Sequence, residues 1–203
     1  MAKIIRDMFQ SVRSMLEDPD VNILRKLEEI KEKEEYTDQM QEQLTIFLAE
    51  CASQGLNEQS TRNVTAMIRI TEELESIADS LYNLAIQAKR KREKKIIFAE
   101  EARKSCIPYM KLVNDFLDFT AGHIGKQLSK EELETALKFE EQVNTMRNKE
   151  KKSAQHRMQN GSDVRSELLF IDIIKHLEHI GDHSLNITQA LGTINALPAD
   201  SSV

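Results

Sequence analysis

Leu177-Glu178-His179-Ile180-Gly181-Asp182-His183-Ser184-Leu185-Asn186 repeats a pattern that stands 103 residues earlier as Leu74-Glu75-Ser76-Ile77-Ala78-Asp79-Ser80-Leu81-Tyr82-Asn83. Each copy carries a Glu, an Asp four residues on and an Asn four residues after that. At this spacing all three oxygen-bearing side chains lie along one stripe of a helix. The apolar residues around them recur at helical spacing, so the two stretches read as matching helices of a duplicated all-α protein.

The rest of the chain supports that reading. It has 203 residues with 6 Gly, 3 Pro and no Trp, 31% charged and 40% hydrophobic residues, which is a composition of long helices. Residues 3–17 read as a first helix, stopped by Asp18-Pro19-Asp20. A long, charged second helix with a narrow apolar seam (Ile23, Leu24, Leu27, Ile30, Met40, Leu44, Phe47, Leu48) runs from Val21 to about Gln54 and is closed by Gly55. Asn57 caps the third helix, which ends in Lys89-Arg90-Lys91-Arg92.

A fourth helix is expected from about Glu93 to Ala121, kinked or split near its start by Pro108, with Gly122 and Gly125 marking the loop after it. Ser129 and Glu132 form a capping-box signature for the fifth helix, and Asn160-Gly161-Ser162-Asp163 precedes a sixth from about Val164 to Leu191. The expected architecture is six long helices in tandem three-helix units within a single domain, 1–203. Repeat one covers about 1–92, repeat two about 93–192, and a tail covers 193–203, frayed from Pro198 on.

The net charge of -6 gives no general attraction to nucleic acid, which therefore drops out as a partner. Cys51 and Cys106 form no CxxC pair and fit a reducing compartment. No stretch approaches the roughly 18 apolar residues of a membrane span. The sequence begins abruptly inside an amphipathic pattern, consistent with a segment of something longer.

With Ile173 as zero, the apolar arc of the sixth helix centres near about 40°, while Glu178, Asp182 and Asn186 fall at about 140°, 180° and 220°. That is the border of the packed face, where a neighbouring helix can meet them, and the same holds for Glu75, Asp79 and Asn83. The second helix of each unit offers counterparts four residues apart: Glu34 and Asp38 in the first, Glu140 and Asn144 in the second. Carboxylates gathered in this way repel one another and call for a cation, a proton or a basic side chain. A hard metal such as Mg, Mn or Fe is one reading. Acids solvated or paired with Lys and Arg are the other, favoured by spacing alone; the duplication of the pattern brings the two level.

His176, His179 and His183 fall at about 240–300° on the wheel, towards solvent, so they are not taken as ligands. No Glu-x-x-His pair occurs, which sets aside a di-iron oxidase. Lys89-Arg90-Lys91-Arg92 reads as a solvated face or connector, with an acidic partner or lipid surface as the alternative. No phosphate loop, nucleophile elbow or Cys/His pair is present, and no enzyme is expected.

Leu177-Glu178-His179-Ile180-Gly181-Asp182-His183 with Asn186-Ile187 resembles the helix motif of the PhoU family of phosphate-signalling proteins. Leu74 to Asn83 looks like a degenerate copy with Ala78 where Gly is common. The charged second helix and the Gly55-to-Ser60 connector are particularly similar to the PhoU-like region that follows the membrane part of bacterial sodium/phosphate cotransporters.

The resemblance implies a PhoU-like helical bundle that regulates phosphate uptake from the cytoplasmic side. The partner it implies is a membrane phosphate transporter, in the same polypeptide or a separate one, which would place the chain at the inner membrane; a homodimer stays open. It also implies iron or another metal (Mn, Mg or Zn), present in some members and absent in others. The ligands it implies are Glu34, Asp38, Glu75, Asp79, Glu140, Glu178 and Asp182, with Asn83, Asn144 and Asn186 as auxiliaries. Asn144 stands where Asp is typical, which weakens the second site, so if only one site holds metal the first is expected to be it. Phosphate itself does not suit an acidic groove, and a conformational adaptor is the expected mode of action.

Overall fold

The computed structural model describes residues 1–194, and the expectation for the tail from Pro198 on lies outside the described residues. Six helices follow one another: α1 (Ala2–Glu17), α2 (Ile23–Ser53), α3 (Glu58–Glu93), α4 (Glu100–His123), α5 (Lys130–Gln159) and α6 (Val164–Thr193). No strand occurs among the described residues, so the all-α expectation is met. None of the helices is long and apolar enough to cross a membrane.

α3 and α6, the two helices that carry the repeated stretch, form the most extensive packing in the molecule. α1 and α2 pack on α3, α4 and α5 pack on α6, and α1 meets α4. The core follows: Leu74, Ile77, Leu81 and Leu84 of α3 and Ile173, Leu177, Ile180 and Ile187 of α6 are all buried. α2 differs, because of its many apolar residues only Ile23 and Ile30 are buried, while Leu24 and Phe47 are 61% and 60% exposed. Its narrow seam is held by one neighbour along most of its length.

The helix ends follow the local chemistry. Asn57 Oδ1 accepts from the Ser60 amide at 2.8 Å, and Gly55 adopts φ +79°, the left-handed conformation that closes a helix without a Cβ penalty. Ser129 and Glu132 complete the capping box in both directions, at 3.1 and 2.7 Å.

Two expectations need correction. α3 and α4 are separated by residues 94–99, so α4 starts at Glu100 and not near Glu93. The break is a left-handed turn at Lys95 (φ 50°), with the Ile96 amide returning to the Lys91 carbonyl at 2.9 Å, and a lysine gives no advance signal for that conformation. Of the two readings of Pro108, the split is the one overturned: the residue lies inside α4, which continues through it. Cys106, Tyr109, Met110 and Val113 are buried on the turns around it, and that packing offsets the roughly 3 kcal/mol an internal proline costs.

The basic run at the end of α3 is built into the fold. Arg92 donates to the Val21 carbonyl at 2.5 Å and the Asp18 carbonyl at 2.7 Å, closing the turn between α1 and α2, while Lys91 lies over the Phe98 ring at 5.2 Å. The connector reading is the one this geometry supports. At the same end of the molecule Arg157 grips Glu167 with two hydrogen bonds, at 2.9 and 2.7 Å, which fixes the α5–α6 turn, and lies over Phe170, whose ring meets Phe98.

Candidate functional site

The pairing of α2 with α3 brings the first set of acids together. Glu34 and Asp38 stand one turn apart on α2, flanking the fully buried Thr37, whose hydroxyl donates to the Glu34 carbonyl at 2.7 Å. Glu75 and Asp79 stand one turn apart on α3. Burial raises the Glu34 carboxyl above its usual range, and the charges of Asp79, Asp38, Glu35 and Glu75 raise it further. Glu75 is likewise raised, by burial first and then by Asp79 and Asp38. The four acids thus share one electrostatic field, and no lysine or arginine is among the main contributors to it at either glutamate. Asn83 supports the arrangement by donating to Asp79 Oδ1 at 3.1 Å.

The second set is arranged differently. Glu140 and Asn144 on α5 face Glu178 and Asp182 on α6, but Arg147, one turn beyond Asn144, places Nη2 2.5 Å from Glu178 Oε1. The Asn144 amide donates to Glu140 Oε1, so both α5 polar residues are engaged within the cluster. Asp182 is pushed up to about 6 by burial and by Glu178 and Glu140, with His183 and Arg147 opposing. From α4 the fully buried Tyr109 approaches the same acids; burial raises its hydroxyl and Glu178 raises it further. Tyr109 Oη, Asn144 Oδ1 and Arg147 Nε are buried with no hydrogen-bond partner among the described residues. The close helix approach that sets this register is made at Gly181, where a Cβ would lie 2.9 Å from Val143 Cγ1.

Asn186 is not placed with its stripe mates. It donates to Glu73 Oε2 at 3.1 Å across the α3–α6 interface, where His183 Nδ1 also meets Glu73 Oε2 at 2.7 Å and Arg69 reaches Asn186 at 3.3 Å. The histidines correct the helical-wheel reading: His183 sits in this interface, and burial lowers both His176 and His179. The wheel assumed a free back face for α6, but α3, α4 and α5 all pack on that helix. Glu73, Arg69, Arg147 and Tyr109 were not among the residues singled out from sequence. Carrying the α2-to-α5 correspondence one turn beyond Asp38 and Asn144 would have found Arg147, which aligns with Gln41.

The chemistry of the donor set separates the two clusters as hosts for a metal. Four carboxylates with no lysine or arginine on them, and only His183 opposing at Glu75, suit a hard divalent ion in the first unit. The second unit presents three carboxylates, an amide and a guanidinium already on one of them, and does not fit. Among the described residues no three His, Cys, Asp or Glu side chains converge at ligating distance, so side-chain adjustment accompanies any ligation.

Comparison with known proteins fits this architecture. No curated protein sequence matches the chain. Among solved structures, the chain is similar to PhoU from Pseudomonas aeruginosa, with a TM-score of 0.84 and 14% identity over 94% of this chain and 90% of that one. It is also similar to the phosphate transport system regulatory protein PhoU from Streptococcus pneumoniae, with a TM-score of 0.78 and 18% identity over 94% of this chain and 87% of that one. At these identities the likeness is one of fold. The sequence model of the PhoU domain matches residues 1–88 and 125–191, which include both copies of the repeated stretch and all four helices that carry the acids. The chain belongs to the PhoU family.

Proposed function

We propose that this chain regulates phosphate uptake as a conformational adaptor on the cytoplasmic side of a membrane phosphate transporter, in the manner of a PhoU-like domain of a sodium/phosphate cotransporter. The α2–α3 carboxylates serve it as a metal site. The carrying observation is the set Glu34, Asp38, Glu75 and Asp79, free of lysine and arginine, in which Glu34 and Glu75 are held above their ordinary range by burial and the charges of neighbouring acids. An iron, manganese, magnesium or zinc ion bound there would neutralise that repulsion and fasten α2 to α3.

The residues contribute through position. Thr37 keeps the α2 backbone seated between the two α2 acids, and Asn83 orients Asp79. Because α2 is held mainly by α3, neutralising acids on both helices stiffens the least anchored helix of the unit. Such a change in stiffness is what an adaptor passes to the partner it docks on.

Titrating the metal-free chain with Fe(II) or Mn(II) while following the melting temperature tests the site. A rise lost in E75Q/D79N is expected; no rise with any of these metals leaves a metal-free helical adaptor, the reading that the lack of a converged ligand set favours. Phosphate uptake by cells lacking the chain tests the role, and uptake unchanged at both high and low phosphate would sink it.

A further inference from the structure

We infer that the second carboxylate cluster is closed to metal by its own arginine, so that the chain holds a metal site in one unit and an internal ion pair in the other. The inference builds on the reading of the first unit as the metal site. Its geometry is independent of that reading.

Four observations carry it. Arg147 Nη2 lies 2.5 Å from Glu178 Oε1, and Glu178 is 8% exposed, so the guanidinium already neutralises a carboxylate that has little room for a second cation. Asn144 ties Glu140 Oε1 with its amide and replaces a charged donor by a neutral one. The Gly181–Val143 approach seats α5 against α6, and Arg147 is one turn from Val143 as Glu178 is nearly one turn from Gly181. At the matching position of the first unit stands Gln41, whose amide turns along its own helix to Thr45 Oγ1 at 3.2 Å and brings no charge.

The competition is electrostatic and positional. A guanidinium is always charged and weakly hydrated, and it binds a carboxylate in a fixed geometry. A divalent ion entering the second cluster would have to displace it from Glu178 and hold it unpaired next to a second cation. The first unit offers four negative groups and no such competitor; the second offers three, one of them taken. One repeat thus has an exchangeable counter-ion and the other a covalently tethered one.

The test uses the full chain with Mn(II) as probe, counting bound metal by equilibrium dialysis and following folding by circular dichroism. The E75Q/D79N chain, with Arg147 intact, is expected to bind no Mn(II); binding that persists there and disappears on adding E178Q/D182N overturns the inference. This arm needs no Arg147 variant and stands whatever such a variant does to folding. In the same background N144D/R147Q is expected to gain a site, roughly 10–100-fold tighter than N144D/R147K, which keeps the cation. A folded N144D/R147Q chain without that gain also overturns the inference. A wild-type chain that binds no Mn(II) while N144D/R147Q does removes the first-unit reading and leaves this one in place.

Discussion

The two carboxylate clusters carry one sequence pattern and balance their charge by different means. In the first, Glu34, Asp38, Glu75 and Asp79 share a field in which no lysine or arginine is a main source and His183 alone opposes at Glu75, and Glu34 and Glu75 are displaced upward by burial and by the neighbouring acids. In the second, a guanidinium is delivered from within, Asn144 lowers the number of charges, and Asp182 absorbs the remaining repulsion. The two clusters share a helical scaffold more closely than the chemistry on it, and Arg147, one turn away from the motif, is the residue that sets their charge balance apart.

The most damaging way to break this contrast is to remove the tethered cation. Arg147→Met leaves Glu178 buried and unpaired and is expected to destabilise the chain by about 2–3 kcal/mol, below the roughly 3–5 kcal/mol of a fully buried pair because Arg147 is one-third exposed. Gln41→Met at the matching position of the first unit is expected to change stability by less than about 0.5 kcal/mol. Urea denaturation of the two variants, measured side by side, checks the difference.

A smaller effect is expected where the helices meet. The first unit has Ala78 where the second has Gly181, and only the glycine has a valine methyl within 2.9 Å of its missing Cβ. Gly181→Ala forces Val143, whose χ1 is stiff, to shift; overpacking of about 1–3 kcal/mol less a helix-propensity gain near 1 leaves a net loss of about 1 kcal/mol. Ala78→Gly in the other repeat should lose a similar amount through propensity alone. Combining Gly181→Ala with Val143→Ala separates the two causes: a positive coupling appears only if Val143 is the obstacle.

The smallest effect is a pH dependence, measured by thermal melting in chelator. Asp182 is raised from 3.8 to about 6, so the folded chain takes up this proton more readily than the unfolded one. Its ionisation therefore costs stability in full above about pH 6, and the cost fades as pH falls towards 4. Asp182→Asn should melt about 2–4 °C above wild type near pH 7, discounted for its partial exposure, and the advantage should shrink across that window. An advantage that grows towards low pH would contradict the assignment.

Most of the fold was legible in the sequence because its punctuation is chemical: Gly55 at a left-handed position, Asn57 and Ser129 at helix starts, and apolar residues of α3 and α6 at one shared register. The left-handed break at Lys95 was not, since nothing about a lysine announces it. The candidate acids were found by spacing, which a helix enforces locally. Their partners across the interfaces were not, because Arg147 reaches Glu178 and Glu73 meets His183 and Asn186 from neighbouring helices, and a helical wheel drawn for one helix does not know that three others cover it. Asn186 shows the same limit: its spacing placed it with Asp182, yet it is turned to Glu73 on α3.

α2 also has a mechanical character. Its root is clamped where Arg92 grips the carbonyls before it, and its last fully buried residue is Thr37, between the two acids; beyond Asp38 some 15 residues, about 22 Å of helix, bury no side chain fully. The acids therefore sit at the fulcrum of a lever. A tilt of about 5° there carries the far end at Ser53 through about 2 Å, on the scale of the helix shifts by which proteins signal across an interface. Amide hydrogen exchange faster in residues 40–53 than in 23–37 would register the less buried half of α2, and metal at the acids would slow it.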